Sequence, residues 1–157
     1  MQFVDPDLIN DLFGEAETSQ RKRAFHTFHQ EDDMFNRVLI AGTTGSYAAP
    51  HRHTEKFEAF AHIEGGLIVV EFDNDGTLLN AYDLEQCPYV EFGPMTWHSV
   101  IYTTERWVLM ELALWKTKYD PGDKEFAPWA PKEGDPDAAD YLRELTAAAT
   151  ALAKNNA

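Results

Sequence analysis

Pro50-His51-Arg52-His53-Thr54-Glu55-Lys56-Phe57-Glu58 places two histidines and a carboxylate within eight residues. Side chains at every second position of a β-strand lie on one face, so His51 and His53 point the same way. A turn over residues 54–56 lets Glu58 begin the next strand beside them. Neutral imidazoles and a carboxylate suit a divalent transition metal. The stretch therefore predicts a strand, a turn and a strand that together carry three metal ligands.

A fourth ligand is expected on a neighbouring strand, because three ligands leave the site incomplete. The candidate is His98, which follows a proline-containing turn and begins an apolar strand in "FGPMTWHSVIY", residues 92–102. The predicted metal ligands are thus His51, His53, Glu58 and His98, and the predicted ion is iron, manganese, nickel or zinc. The alternative is a solvated His-x-His pair on a surface turn.

The middle of the chain has the pattern of an antiparallel β-sandwich or barrel. Turn signals such as "EGG" at 64–66 and "NDG" at 74–76 separate short apolar segments. A helix is predicted from Pro6, a proline-rich covering segment over 116–135, and a last helix over 136–157. We expect one domain, 1–157, with an N-terminal helix and lead-in over 1–34 and a barrel over 35–115. The candidate strands are residues 35–40, 46–51, 58–63, 67–72, 78–83, 89–92, 97–102 and 107–114.

The charge balance limits the possible partners. Asp and Glu number 27 against 13 Lys and Arg, for a formal net charge of -14. Such a chain repels phosphate backbones and anionic membranes, so we expect no nucleic-acid or membrane partner. A lone Cys87 makes no internal disulfide, and neither a secretory signal nor a membrane-spanning apolar run is visible. These features predict a cytoplasmic protein. The predicted metal site adds a small-molecule ligand as the expected partner.

Three polar residues near the predicted ligands are candidates for catalysis. Strand parity sends Tyr47 and Tyr102 toward the barrel interior, where Tyr47 could bind a substrate and Tyr102 could orient a ligand or act as an acid. Lys56 stands between two ligands and could guard the mouth or attract an anion. The alternatives are two core tyrosines and an exposed turn lysine paired with Glu55 or Glu58. His62 is expected to be a core or surface histidine and not a fifth ligand.

The ligand spacing resembles the first motif of the cupin superfamily. Gly45, five residues, His51-x-His53, four residues, Glu58, six residues and Gly65 match it at every fixed position. The second motif is kept only in part: His98 is present, but Gly93 and Met95 stand where Pro and Gly are usual, and Tyr102 replaces an Asn. The resemblance implies an all-β cupin, a double-stranded β-helix or jelly-roll barrel, with short helices at both ends.

Among cupins, residues 18–135 resemble the WbuC-type metalloproteins associated with bacterial surface-polysaccharide (O-antigen) biosynthesis. The similarity rests on "SQRKR", His29, "YAAPHRHTEKFEAF", "FDNDG", "TWH" and "KEFAPWAPKEGD". Thr27 and Ile40 stand where that family often carries asparagines. The resemblance implies a fold, a metal site and, by analogy, a homodimer, but no substrate.

Residues flanking the predicted barrel also allow two interpretations. Arg21, Arg23 and His29 either line a substrate entrance or tie the N-terminal segment to acidic neighbours. In the covering segment, Lys124, Phe126 and Trp129 either form a lid over the barrel mouth or cover an outer face of the sheet.

These observations leave several functions open. One is a metal-dependent enzyme, an isomerase or epimerase or an oxygenase, acting on a small polar metabolite such as a sugar derivative. A second is a non-catalytic metabolite-binding or regulatory cupin. A third is a purely structural metal, which predicts that chelation unfolds the protein. We expect instead that the metal-free barrel stays folded. A Ser–His–Asp hydrolase has no support in the sequence, since no nucleophile elbow occurs.

Overall fold

A computed structural model describes residues 1–116, 120 and 122–155. Within these residues the strands form two antiparallel five-stranded sheets, in the orders β1-β2-β9-β4-β7 (sheet I) and β10-β3-β8-β5-β6 (sheet II). The elements are α1 Pro6–Thr18, β1 Arg23–Thr27, β2 Phe35–Thr43, β3 His51–His53, β4 Lys56–Glu64, β5 Leu67–Phe72, β6 Leu78–Asp83, β7 Tyr89–Phe92, β8 Trp97–Tyr102, β9 Arg106–Trp115, β10 Lys124–Phe126 and α2 Ala138–Asn155.

The core between the two sheets is built from inward-facing strand residues and from Leu84, which directly follows β6. Burying each large apolar side chain contributes roughly 1.5–3 kcal/mol to stability. Glu58 and His98 are the next inward-facing positions beyond Phe60 and Val100, so this core ends where the predicted site begins. Its buried members are Phe60, Leu67, Val69, Leu84, Val100, Trp107 and Leu109.

The two helices cover the outer faces of the sheets. The first begins at Pro6 as predicted, with the Asp5 carboxylate accepting a hydrogen bond from the Leu8 amide at 2.9 Å. Leu12 and Phe13 of this helix pack on sheet I. Residues of α2 pack on the outer face of sheet II. Neither of the described helices has the length and apolar character needed to cross a membrane.

Most strand predictions agree with the structure. The predictions at 67–72, 78–83, 89–92 and 97–102 are confirmed to the residue, and those at 35–40, 58–63 and 107–114 are confirmed within longer strands. Two strands were missed: Arg23–Thr27, and Lys124–Phe126 inside the proline-rich segment, which adds an edge strand to β3. Within the predicted covering segment and last helix, residues 117–119, 121 and 156–157 lie outside the described residues.

The predicted strand at 46–51 is wrong apart from His51. Pro50 has no amide hydrogen to give to a ladder, and the carbonyl groups before it bind elsewhere. The Tyr47 carbonyl accepts from the Arg23 guanidinium at 2.9 Å, and the Ala48 carbonyl accepts from the Ser99 hydroxyl at 2.7 Å. Side chains thus take the place of a neighbouring strand here.

Candidate metal centre

Strand register brings the four predicted ligands together. On sheet II, His51 of β3 lies directly opposite His98 of β8, and His53 follows on the same face of β3. From sheet I, Glu58 of β4 faces them. All four side chains are buried, and one potential ligand atom from each lies within 4.8 Å of the others. The structure therefore assembles the residues that the sequence motif singled out.

Backbone carbonyls determine which imidazole nitrogens point into the cluster. A carbonyl oxygen can only accept, so the Nδ1 atom bonded to it carries the hydrogen, and in a neutral imidazole Nε2 is then left with a lone pair. This is the arrangement in which metal-bound histidines are normally held. The three Nδ1 bonds are His51 to Ala49 at 2.9 Å, His53 to Asp123 at 3.1 Å and His98 to Thr96 at 2.9 Å.

The atoms that meet at the centre of the cluster are all hydrogen-bond acceptors. Oε2 of Glu58 lies 3.0 Å from Nε2 of His98 and 3.6 Å from Nε2 of His53. These three buried atoms have no hydrogen-bond partner among the described residues. Lone pairs that face each other in a dry interior repel, and a shared cation removes the repulsion. Two ligand atoms that each bind the same ion at about 2.1 Å are at most ~4.2 Å apart. The ligand atoms here lie within 4.8 Å of one another, so they need to move together only slightly to bind a metal.

Burial and nearby charges keep His51, His53 and Glu58 in their metal-binding protonation states. Burial, together with the neighbouring His98, lowers the pKa of His51 well below its ordinary value. Burial and the positive charge of Lys56 lower the pKa of His53 to about 4. Burial alone would raise the pKa of Glu58, but the positive charge of Lys56 holds it well below the usual range. At neutral pH the site thus offers neutral imidazoles at His51 and His53 and a carboxylate at Glu58.

Lys56 is neither an exposed turn residue nor a guard at the mouth. Its side chain is 7% exposed, and its Nζ lies 2.6 Å from Oε1 of Glu58 and 3.5 Å from Oε1 of Glu111. Although burial opposes it, these two carboxylates raise the pKa of Lys56, which stays charged. The pairing predicted with Glu58 is confirmed, while the exposure is wrong because β4 begins at Lys56, two residues earlier than predicted.

Glu111 is a residue of the site that the sequence analysis missed. It faces Phe60 across β9 and β4, so it points between the sheets. Burial and the negative charge of Glu58 raise its pKa to about 7. Glu111 is the one charged residue among positions 107–115, "WVLMELALW", and it falls on the inward-facing parity. A lone charge at an inward position of an apolar strand was the available signal.

The structure does not bring the two candidate tyrosines to the cluster. The Tyr47 hydroxyl donates to the Pro131 carbonyl at 2.8 Å, and its ring packs edge-on against Tyr141. Tyr102 lies four residues beyond His98 along β8, about 13 Å away. Its ring stacks on Trp107 with centroids 4.5 Å apart, and burial raises its pKa to about 12. A catalytic role for either hydroxyl stays a prediction that this geometry does not support.

Asp123 is a second residue that the sequence analysis missed. Its backbone carbonyl accepts the hydrogen bond from Nδ1 of His53. Its carboxylate accepts hydrogen bonds from the Thr54 amide at 2.8 Å, the Glu55 amide at 3.1 Å and the Thr54 hydroxyl. It therefore holds both the turn between β3 and β4 and one ligand. Its partners lie about 70 positions earlier in the chain, so no local pattern reveals it.

Most of the residues that flank the barrel have structural contacts, and few of them lie near the metal site. Arg21 and Arg23 both bind Glu133, at 2.7 and 2.6 Å, which ties the N-terminal segment to an acidic neighbour as one alternative expected. Trp129 packs on Phe72, with centroids 5.0 Å apart, and so covers the outer face of sheet II. Phe126 differs, since its ring lies 6.2 Å from His51 and borders the cluster. Lys124 lies opposite His53 on β10, and His29 binds the backbone of Arg37.

About half of the chain matches a known protein family. Residues 4–84 match the family described as a domain of unknown function, DUF6016. The chain belongs to this family. No curated protein matches the chain.

Solved structures show the fold that this DUF6016 chain adopts. CapF, a capsular polysaccharide assembling protein from Staphylococcus aureus, is 18% identical with a TM-score of 0.56, over 67% of this chain and 32% of its own. Protein SO0799 from Shewanella oneidensis is 16% identical with a TM-score of 0.56, over 97% and 98%. A Klebsiella pneumoniae protein with a double-stranded β-helix domain is 10% identical with a TM-score of 0.54, over 81% and 98%. This DUF6016 chain spans about a third of the length of CapF.

The likeness confirms the predicted fold class: an all-β cupin fold, a jelly-roll barrel with short N- and C-terminal helices. At sequence identities of 10–18%, the likeness shows the fold and not the function. The DUF6016 match ends at residue 84, so it includes His51, His53 and Glu58 but not His98 or Asp123. The complete site of this DUF6016 chain therefore follows from the tertiary arrangement of β3, β4 and β8.

Proposed function

We propose that this DUF6016 chain is a metal-binding cupin and a metal-dependent enzyme that acts on a small polar metabolite. The observation that carries the proposal is the convergence of buried, unpartnered acceptor atoms from Glu58, His53 and His98. Such an arrangement is costly without a cation. Iron, manganese, nickel and zinc all suit three imidazoles and one carboxylate.

A divalent ion bound here supplies Lewis-acid polarisation of a substrate carbonyl or hydroxyl oxygen, or oxygen chemistry with iron. The chain's own residues hold the ligands rigidly. Carbonyls orient the imidazoles, and Lys56 fixes Oε1 of Glu58 so that Oε2 turns to the histidines. Phe92, with its ring centroid 4.2 Å from that of His98, lies against the cluster and helps to exclude water. Isomerisation or epimerisation, or oxidation, of a sugar derivative fits this environment.

The polysaccharide context also belongs to the proposal. CapF is a capsular polysaccharide assembling protein, and the sequence resemblance to WbuC-type cupins points to the same area of metabolism. Both likenesses support a sugar-type substrate.

A second function, a non-catalytic metabolite-binding or regulatory cupin, is favoured by a different observation. The hydroxyl of Tyr47 is engaged by Pro131, Tyr102 lies along β8 away from the cluster, and Lys56 is paired with Glu58. All three candidate catalytic residues thus have other roles. Under this alternative, zinc-loaded and iron-loaded protein bind the metabolite with equal affinity and yield no product.

Elemental analysis of protein purified without chelators or a metal column tests the proposal. We expect about one equivalent of metal in the wild type and almost none in His98→Ala. His26→Ala is the matched control, because it makes the same change at an exposed position outside the cluster. If the wild type holds no metal and takes up none of the four ions, the metalloprotein proposal is wrong.

Chelation separates this proposal from a purely structural metal. We expect the circular-dichroism spectrum and cooperative unfolding to survive removal of the ion, because the apolar core between the sheets does not include the ligands. Unfolding on chelation would favour the structural role.

The homodimer expected by analogy is also a proposal. Sheet I carries a cross-strand row of exposed apolar side chains, which a second copy of the chain would cover. The row consists of Phe35, Leu114 and Phe57. Sedimentation velocity tests the dimer directly, and a monomer at micromolar concentration contradicts it.

A further inference from the structure

A cavity of about 450 Å³ opens beside the metal centre, on the side of β5, β6 and β7. His98 forms part of its wall, so the cavity reaches one of the predicted metal ligands. Its volume lies within the range of about 300–1,000 Å³ usual for small-molecule sites. Lys56 and Glu111 are not among its lining residues. The cavity is therefore a space for a ligand that would meet the metal from the β6–β7 side.

A cross-strand row places a carboxylate inside this cavity. Glu71 of β5 lies directly opposite His98 of β8, and Asn80 of β6 is two strands from His98 in the same sheet. Residues opposite each other on neighbouring strands share a face, so Glu71 faces the interior as His98 does. The Asn80 amide donates to Oε2 of Glu71 at 2.8 Å and steadies it. A carboxylate has about four acceptor sites, so capacity remains for the hydroxyl groups of a ligand.

Aromatic rings line the rest of the cavity. Phe92 lies opposite Glu58, and Tyr82 lies opposite Val69, so both face inward. Tyr89 at the rim donates its hydroxyl to Glu91 at 2.6 Å. Ring faces with a few acceptor groups suit a molecule that has apolar C–H faces and hydroxyl edges.

The charges of the lining argue against a phosphorylated ligand. Its charged side chains are Glu71 and Glu91, and the lining residues within the described chain include no Lys or Arg. Phosphate groups are normally bound by Arg, Lys or a helix N-terminus, and this wall is built from strands and their connections. The net charge of -14 adds a repulsive field. At the inner end, a divalent ion with Glu58 would carry a net charge near +1, which disfavours a cationic ligand.

We propose that this cavity binds an uncharged, hydroxyl-rich molecule of the free-sugar class, and not a sugar phosphate or a nucleotide-linked sugar. Glu71 accepts hydrogen bonds from its hydroxyl groups, and Phe92 and Tyr82 pack on its C–H faces. This deepens the proposed function and rests on it only for the metal at the inner end of the cavity.

The test is NMR titration of zinc-loaded, 15N-labelled protein with glucose, mannose and galactose, each as the free hexose and as the 1-phosphate. We expect free hexoses to shift amide signals of β5, β6 and β7 and to bind about tenfold more tightly than the phosphates. Glu71→Lys is expected to reverse this preference, and Glu71→Gln to weaken hexose binding. Glu31→Lys, an equal charge change at an exposed residue outside the cavity, should match the wild type.

Two results overturn the proposal: equal or tighter binding of the phosphates, or no hexose-induced shifts around the cavity in folded, zinc-loaded protein. The metal content of the protein is measured separately by elemental analysis. A protein that binds hexoses here but holds no metal would refute the proposed metal function and leave the cavity assignment standing.

Discussion

Replacing Lys56 by methionine tests the electrostatic account of the site. Lys56 and Glu58 are 7% and 3% exposed, and their charged atoms are 2.6 Å apart. Methionine keeps an apolar stem of similar length, so packing near Trp115 is largely preserved. The substitution removes the buried positive charge and leaves Glu58 beside Glu111 without it.

The expected loss is large because a buried charge loses its partner. Removing one member of a buried ion pair costs about 3–5 kcal/mol, against 1 kcal/mol or less for an exposed pair. The near-complete burial of Lys56 and Glu58 places this pair in the first class. We therefore expect metal-free Lys56→Met to lose about 3–5 kcal/mol of unfolding free energy at pH 7. A bound divalent ion would replace part of the missing charge, so metal should stabilise this variant more than the wild type.

Urea denaturation with and without zinc measures both effects. The double variant Lys56→Met/Glu58→Gln is the control, because removing both charges should cost less than the sum of the two single changes. Additive losses, or a loss below about 1 kcal/mol in Lys56→Met, would show that the pair does not have the assigned role.

Further predictions concern pH, the turn between β3 and β4, and one glycine. The pKa of His53 is about 4 when folded and 6.5 when unfolded; the unfolded chain thus binds more protons between these values. As pH falls from 6.5 to 4, metal-free wild type should lose about 3 kcal/mol more unfolding free energy than metal-free His53→Gln, measured by urea titration. The comparison cancels the opposite contribution of Glu111, whose pKa is raised to about 7 in the folded protein. A difference between the two proteins that does not change with pH would contradict this. Asp123→Ala removes the bonds that hold the turn and should weaken zinc binding at least about tenfold in competition with a chelator. Gly76 has φ +86, and an added Cβ would lie 2.7 Å from the Trp129 ring; Gly76→Ala should cost about 1–3 kcal/mol, whereas Gly14→Ala, in open helical surroundings, should be neutral or stabilising.

The ligand set was predictable because its geometry is largely local. Strand alternation places His51 and His53 on one face, and a short turn returns the chain at Glu58. Where turn residues bound an apolar segment on both sides, as around 67–72 and 78–83, strand limits were predictable as well.

Prediction failed where partners lie far apart in the chain. Residues 46–50 have a strand-like pattern, but the side chains of Arg23 and Ser99 donate hydrogen bonds to backbone carbonyl groups of this segment, which a neighbouring strand would otherwise bind. The strand at Lys124–Phe126 forms only because β3 offers it an edge. Propensity cannot reveal such pairings, because strand formation depends on the neighbour across the ladder.

By itself, the sequence determined the cupin fold class and the identity of the four candidate ligands, since both depend on spacing along strands. Only the tertiary structure decided that Lys56 is buried, that Glu111 and Asp123 support the ligands, and that Tyr47 and Tyr102 do not reach them. The physical reason is that desolvation and charge pairing depend on which distant segments enclose a side chain, and that enclosure exists only once the two sheets have packed together.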